Sequence, residues 1–230
     1  ASPACSAVNG TTKVASTPVE ASNSSFCCAS VSNLGADSGR TTDAGWRSNV
    51  TTTLRALRGI ADALRESFKD SGDLEVLAQG DLPKRVLIER FRRGSDAGEV
   101  GCILVASASF WEGIDVPGEA LQMVIIDKLP FPPPNDPMAE ARSRHIESLG
   151  RSAFNDYFLP EAAVALKQGA GRLIRRETDQ GVLVVCDTRL VAMGYGRRLM
   201  RALPPMQRLS SESDLLQRLD LLTKTCTTRP

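Results

Sequence analysis

The sequence predicts an α/β fold, a mainly parallel sheet flanked by helices on both faces. Three observations lead there. VGCILVAS (100–107), LQMVIID (121–127) and GVLVVCD (181–187) are near-continuous apolar runs of strand length. Strands buried on both faces read this way, because neither face needs polar residues. The runs alternate with segments of helical character, as parallel strands joined by crossover helices require. With 42% hydrophobic and 24% charged residues, the 230-residue chain can bury a core of domain size.

Residues 1–49 differ from the rest. They are rich in Ser, Thr, Ala, Asn and Val, and their charges are Lys13, Glu20, Asp37, Arg40, Asp43 and Arg47. This segment reads as a low-complexity leader, mostly disordered or atypical, with short strands around Phe26–Val31 as the minority reading. The main domain is placed at 50–205 and a C-terminal helix and tail at 206–230. Leu54, Leu57, Ile60, Leu64 and Phe68 repeat at helical spacing, and Gly72 stops that helix. LEVLAQ (74–79) reads as a strand. Asp81 can cap a second helix, with Pro83 in its first turn and Val86, Leu87 and Phe91 facing inward. LPFPPPNDP (129–137) can be neither helix nor central strand and is a stiff loop. Further helices are expected at about 138–149, 160–176, 189–202 and 211–223, with Pro204 and Pro205 separating the last two.

Composition removes several functions. A net charge of +1 supplies no global field for a polyanion, so any phosphate site is a local patch. No apolar run is long enough to span a membrane, and ASPACSAVNG has neither a basic start nor an apolar core of a secretory signal. Cys5, Cys27, Cys28, Cys102, Cys186 and Cys226 contain no C-x-x-C pair; no metal or disulfide framework is expected, and a cytoplasmic setting fits. Cys102 and Cys186 lie in apolar runs and read as buried. His145, the single histidine, reads as a surface helix residue. GAGRLI and GYGRRL lack the third glycine of a dinucleotide fingerprint, and there is no G-x-S-x-G elbow. Arg197, Arg198 and Arg201 form a second basic cluster, either a solvated helix end or a DNA-backbone contact.

Two stretches carry chemistry. LKQGAGRLIRR (166–176) has two glycines inside a helical pattern, each costing about 1 kcal/mol against alanine. At about 100° per residue, Leu166, Ala170, Leu173 and Ile174 form a core stripe. Gln168, Arg172 and Arg175 share an opposite sector about 60° wide. The glycines flank it, which clears space for a neighbouring backbone or ligand. A solvated basic face is the plain alternative. The second stretch, SFWEGIDVPG (109–118), directly follows a strand and so lies at the carboxyl edge where open α/β sheets bind ligands. Phe110 and Trp111 are either exposed for binding or plugged into the core.

Gln168-Gly-Ala-Gly171-Arg172-Leu-Ile-Arg175 resembles motif VI of superfamily 2 helicases. SFWEGIDVPGEALQMVIIDKLPFPPPNDP (109–137) is similar to motif V and the following strand and loop of the DinG/XPD branch, and 155–189 continues the match. The resemblance implies a three-layer RecA-like (P-loop NTPase-like) domain, the second of two motor domains. It implies that Arg172 and Arg175 are arginine fingers that reach the phosphates of ATP, whose Mg²⁺ is shared with the first motor domain, and that Gln168 couples nucleotide to domain closure. Gly113, Asp115, Glu112 and Gly171 would lie at the ATP cleft. Ser109, Phe110, Trp111 and Thr53 would face single-stranded DNA. The partner is the N-terminal motor domain of the same helicase, and no membrane is involved. An arginine fork suits phosphate because its charge is permanent and its donors can bind two oxygens.

The departures are specific. No G-x-x-x-x-G-K-[ST] loop is present, and Lys224-Thr225 has no glycine before it nearby. The family's acidic box and its iron–sulfur cysteines belong to the first motor domain, so no cluster is expected in this chain. TTTLRAL (51–57) faintly resembles motif IV, but no apolar strand is visible before it. The isolated chain is therefore expected to be inactive as an ATPase. The rival reading is a non-catalytic relic that binds nucleic acid or a partner.

Overall fold

The computed structural model describes residues 4–7, 12–16, 47–51, 53–70, 74–96, 101–111, 121–133, 135–174 and 179–227. Their strands are β1 (Ala4–Ala7), β2 (Thr12–Ser16), β3 (Arg47–Thr51), β4 (Leu74–Ala78), β5 (Gly101–Ala106), β6 (Met123–Ile126), β7 (Gly181–Val185) and β8 (Gln207–Arg208). They form one sheet in the order β1-β8-β2-β7-β6-β3-β5-β4. From β2 to β4 along the run β2-β7-β6-β3-β5-β4, every neighbouring pair is parallel. β1 is antiparallel to β2 and β8 at the far edge.

Helices cover both faces. They are α1 (Leu54–Ser67), α2 (Lys84–Asp96), α3 (Pro137–Ser148), α4 (Leu159–Gly171), α5 (Arg189–Ala192), α6 (Gly196–Ala202) and α7 (Glu212–Thr227). Successive residues of a strand point to opposite faces, and β5 shows the result. Cys102, Leu104 and Ala106 join the core under α2, α4, α5 and α6, with Leu87, Phe91, Leu159, Leu166, Leu190 and Leu199. Ile103 and Val105 join the core under α1 and α7, with Leu57, Ile60, Leu64, Leu215 and Leu219. Every residue of β5, β6 and β7 is buried, which is why their sequences show no alternation. The fold is the expected three-layer RecA-like α/β domain.

The structure differs from the sequence reading at several places. β3 supplies a strand before α1 where none was expected, seated between β5 and β6 with Val50 opposite Val105 and Ile125. Its sequence, RSNVT, contains one aliphatic residue and fails any test for an apolar run. β1 and β2 also fall within the segment read as a leader and join the sheet; the strand read around 26–31 lies outside the described residues, as does Gly72. Asp81 does not cap α2. Its carboxylate accepts the Ala78 N–H at 3.1 Å and a guanidinium hydrogen bond from Arg65, closing the turn after β4. Val86 is 44% exposed, and Ile88 packs inward instead.

The expected helix at 189–202 is broken into α5 and α6, and Gly196 explains the break. A Cβ at Gly196 would lie 1.9 Å from the Leu190 carbonyl oxygen and 2.6 Å from its carbon. Only a residue without Cβ lets α6 cross the end of α5 so closely. The expected helix at 160–176 is also shorter, because α4 ends at Gly171. Its last hydrogen bonds tighten, with Arg172 N–H donating to Gly169 O at 3.2 Å and Leu173 N–H to Ala170 O at 3.1 Å.

These contacts separate two glycines in one short segment. Gly196→Ala is expected to destabilise the domain by about 1–3 kcal/mol, the usual range for overpacking. Gly194→Ala, where a Cβ meets nothing within 4 Å, is expected to leave the urea midpoint unchanged. Equal midpoints for the two variants would refute the close-approach account.

Candidate functional site

Parallel strands send their carboxyl ends to one edge, and β3 to β7 bring the following residues there. Thr53 follows β3, Gln79 follows β4, Ser107 and a 3₁₀ turn (Ala108–Trp111) follow β5, Asp127 and Lys128 follow β6, and Asp187 follows β7. Because β5, β3 and β6 are neighbours, the 3₁₀ turn, Thr53 and Lys128 come from adjacent strands. Thr53 is the N-cap of α1, and its hydroxyl accepts the Ala56 N–H at 3.4 Å. The exposed helix N-terminus at this edge is suited to an anion. Gln79 Oε1 accepts from the Ser107 N–H at 2.8 Å and the Ser107 hydroxyl at 2.9 Å, tying the β4 turn to the 3₁₀ turn.

Phe110 is 4% exposed, its ring is packed in the core, and Lys84 Nζ sits 4.9 Å from the ring centroid. This corrects the expectation that Phe110 faces nucleic acid. A buried ring under an ammonium group cannot stack on a base. Ser109 and Trp111 stand in the same turn at the carboxyl edge. Glu112, Gly113 and Asp115 lie outside the described residues, as does Arg175. The edge carries exposed cations at Arg55, Lys84 and Lys128. Among the described residues of this edge, Asp81 is bound to Arg65, Asp187 is bound to Arg189, and Asp127 is buried.

Arg172 is at the other edge. A helix that follows one parallel strand and precedes the next runs antiparallel to both, so α4 ends where β7 begins. Leu173 confirms the position. Its side chain lies 2.9 Å from where a Gly181 Cβ would sit, and Gln122 O lies 3.2 Å from the same point. Gln122 O accepts the Val182 N–H at 2.8 Å, so this is the start of both β6 and β7. Arg172 and the 3₁₀ turn therefore stand at opposite edges of the sheet. α4 spans the distance, about 20 Å at 1.5 Å per residue, and packs against the 3₁₀ turn.

The helix-wheel sector also changes. Gln168 is exposed on α4, but Arg172 is the C-cap residue, half-buried, in a turn tighter than an α-helix. Gly169 is buried and does not clear a surface, whereas Gly171 is exposed and a Cβ there would meet nothing within 4 Å. Gly171 therefore leaves room beside Arg172 for a group from outside this domain.

Sequence reading passed over an ion pair at the carboxyl edge. Asp187 is 5% exposed and accepts from Arg189 Nη2 at 2.6 Å, Arg189 Nε at 2.9 Å and the Leu129 N–H at 2.9 Å. Burial opposes the Asp187 charge, but the hydrogen bonds from Arg189 and the Leu129 N–H outweigh it and hold its pKa below the ordinary value. Arg189 also lies over the Phe131 ring at 5.5 Å. Phe131 packs on Phe154 and Tyr195 with centroids 5.9 and 6.0 Å away. The signal was the pair Asp-x-Arg directly after an apolar strand, which places both residues at the carboxyl edge.

Comparison with known proteins gives the site a setting. The family profile of the helicase C-terminal domain matches residues 49–206. The chain is 43% identical over 166 residues to the ATP-dependent DNA helicase YoaA of Haemophilus influenzae and 39% identical over 165 residues to the ATP-dependent helicase DinG of Mycobacterium tuberculosis. These matches cover 72% and 71% of this chain and 24% of each relative, so the chain spans about a quarter of their length. In structure it is similar to the DUF1998 helicase MrfA bound to DNA, with a TM-score of 0.50 at 15% identity, covering 90% of this chain and 25% of that one.

Because the Asp187 pKa is depressed on folding, the stability it contributes is present above the unfolded carboxylate value, about 3.9, and is lost as pH falls through the folded value. Asp187→Asn is expected to cost about 1–3 kcal/mol near neutral pH. The difference from the unsubstituted chain should shrink as pH drops below about 4. Urea titrations at several pH values check this; a difference that does not change with pH would refute it.

Proposed function

Since the chain belongs to the helicase C-terminal domain family and is a RecA-like motor domain of the DinG/XPD branch, we propose that it is the second half of an ATP-dependent DNA helicase acting in DNA repair. The observation that carries this is α4, one rigid helix with the Arg172 turn at its end and the 3₁₀ turn packed along it. In this reading the amino edge is one jaw of an ATP site. Arg172 and Arg175 reach the phosphates, with Gly171 leaving room for them. Gln168 lines the same cleft; Gly113 and Asp115, on the connection from the 3₁₀ turn to the start of β6, reach it, and Glu112 links it to the DNA edge. The first motor domain of the same helicase supplies the phosphate loop and holds Mg²⁺.

The carboxyl edge takes the single-stranded DNA. Thr53 and the α1 N-terminus face a phosphate, Ser109 and Trp111 stand beside it, and Arg55, Lys84 and Lys128 supply positive charge. Phe110 holds the turn in place from beneath. Phosphoryl transfer needs positioning and charge stabilisation more than covalent chemistry. The residues here provide the charge, and closure of two domains provides the positioning. ATP supplies the energy, and α4 carries the state of one edge to the other as a rigid rod.

The chain alone is expected to show no ATPase above an Arg172→Ala control. Mixed with the first motor domain of its helicase, it should restore DNA-stimulated turnover. Arg172→Ala or Arg175→Ala should then lower kcat by about 10³ or more. Folded domains that associate and still give no arginine-dependent turnover would favour the non-catalytic reading. The chain's own binding to oligo-dT should be weak and fall steeply with salt.

A further inference from the structure

The proposed DNA edge includes one cation, Lys128, whose place is fixed by groups that touch no ligand. Lys128 stands between two buried residues, Asp127 and Leu129. Leu129 is anchored from the segment after β7, because its N–H donates to Asp187 Oδ2 at 2.9 Å across 58 residues of sequence. Asp187 is itself held by the Arg189 fork at 2.6–3.1 Å and by the Arg189 N–H at 3.1 Å. Arg189, 46% exposed in its side chain, is held in turn against the Phe131 face. Phe131 lies two residues beyond Leu129, and its N–H donates to Leu129 O at 2.8 Å. The chain from Lys128 to Phe131 is thus gripped at its backbone by Asp187 and at its ring by Arg189.

We propose that Asp187 and Arg189 are positioning residues for nucleic acid, which hold the segment after β6 so that Lys128 meets a DNA phosphate. The inference rests on the assignment of the carboxyl edge to single-stranded DNA. It assigns the exposed Arg189 a role that is not phosphate binding. Its guanidinium is committed to Asp187 and its plane to Phe131, and a lysine could not reproduce either the fork or the stack. Hydrogen bonds to a buried carboxylate are the strong kind, so the loop after β6 is held rather than left to sample other positions.

The test is a double-mutant cycle on the 230-residue chain, read by anisotropy of labelled oligo-dT across a salt series. Lys128→Ala should weaken binding and reduce the log–log salt slope by about 0.7, one contact on a single strand. Asp187→Asn and Arg189→Lys should each reproduce most of that loss and the same change in slope. Added to Lys128→Ala, neither should weaken binding further, because the contact they position is already gone. Arg189→Lys keeps the charge, so a merely electrostatic role for Arg189 would leave its affinity and slope unchanged and overturn the proposal. Equal losses with and without Lys128 would overturn it too. If Asp187→Asn does not give a cooperative urea transition, Arg189→Lys decides alone. Failure of the unsubstituted chain to bind oligo-dT at low salt would instead remove the DNA assignment of the edge, and this inference with it.

Discussion

Everything in this domain depends on burying a parallel sheet on both faces. β5, β6 and β7 have no residue that reaches solvent, so each must be covered above and below. The chain can meet that demand only by returning over the sheet between strands. Each return forces a helix antiparallel to the strands and divides the connections into two sets. Those after strands lie at one edge, and those after helices at the other. The separation of Thr53, the 3₁₀ turn and Lys128 from Arg172 follows from this constraint without any further design. Packing of the hydrophobic layers, each large side chain worth about 1.5–3 kcal/mol, thereby fixes where polar chemistry can occur.

The same constraint makes α4 a connector. Leu159, Ala162, Leu166 and Ala170 bind it to the sheet along its length. At one end the ring of Phe154, just before it, is packed with Phe131 and Tyr195. At the other, Leu173 fills the space above Gly181. A helix fixed at both ends and along one side moves as part of the domain. Motion that matters for a motor must then occur between this domain and another, which is consistent with the proposed division of the ATP site.

The sequence made the centre of this fold legible and its joints opaque. The runs ILVA, MVII and VLVV announce buried strands because burial on two faces leaves one solution. β3 is equally central but carries Arg47, Ser48, Asn49 and Thr51, and its membership is decided by pairing with β5 and β6. No local pattern records that. Gly196 was visible as a glycine, but its reason is a carbonyl six residues earlier that only the turn of the chain brings near. For the site, the motif residues were found by type and spacing. The carboxyl edge of 109–111 was legible too, but the tight turn that holds Arg172 was not, because the wheel assumed that α4 continues through it. The Asp187–Arg189 pair escaped notice for a different reason: what it holds, the Leu129 N–H, lies in the loop after β6, 58 residues away in sequence.

The entry into α4 bears on how such a domain tolerates change. The five residues Phe154–Phe158 wind as a π-turn, with Leu159 N–H donating to Phe154 O, directly into α4. A turn of this kind holds one residue more than an α-turn. It sets the angular phase between everything that precedes α4 and the face that α4 buries. Removing a single residue there would restore ordinary winding and swing Phe154 by about 100°, away from Phe131 and Tyr195. The surplus residue acts as a spacer in rotation rather than in length. It lets the aromatic anchor and the buried stripe of one helix each satisfy a different neighbour.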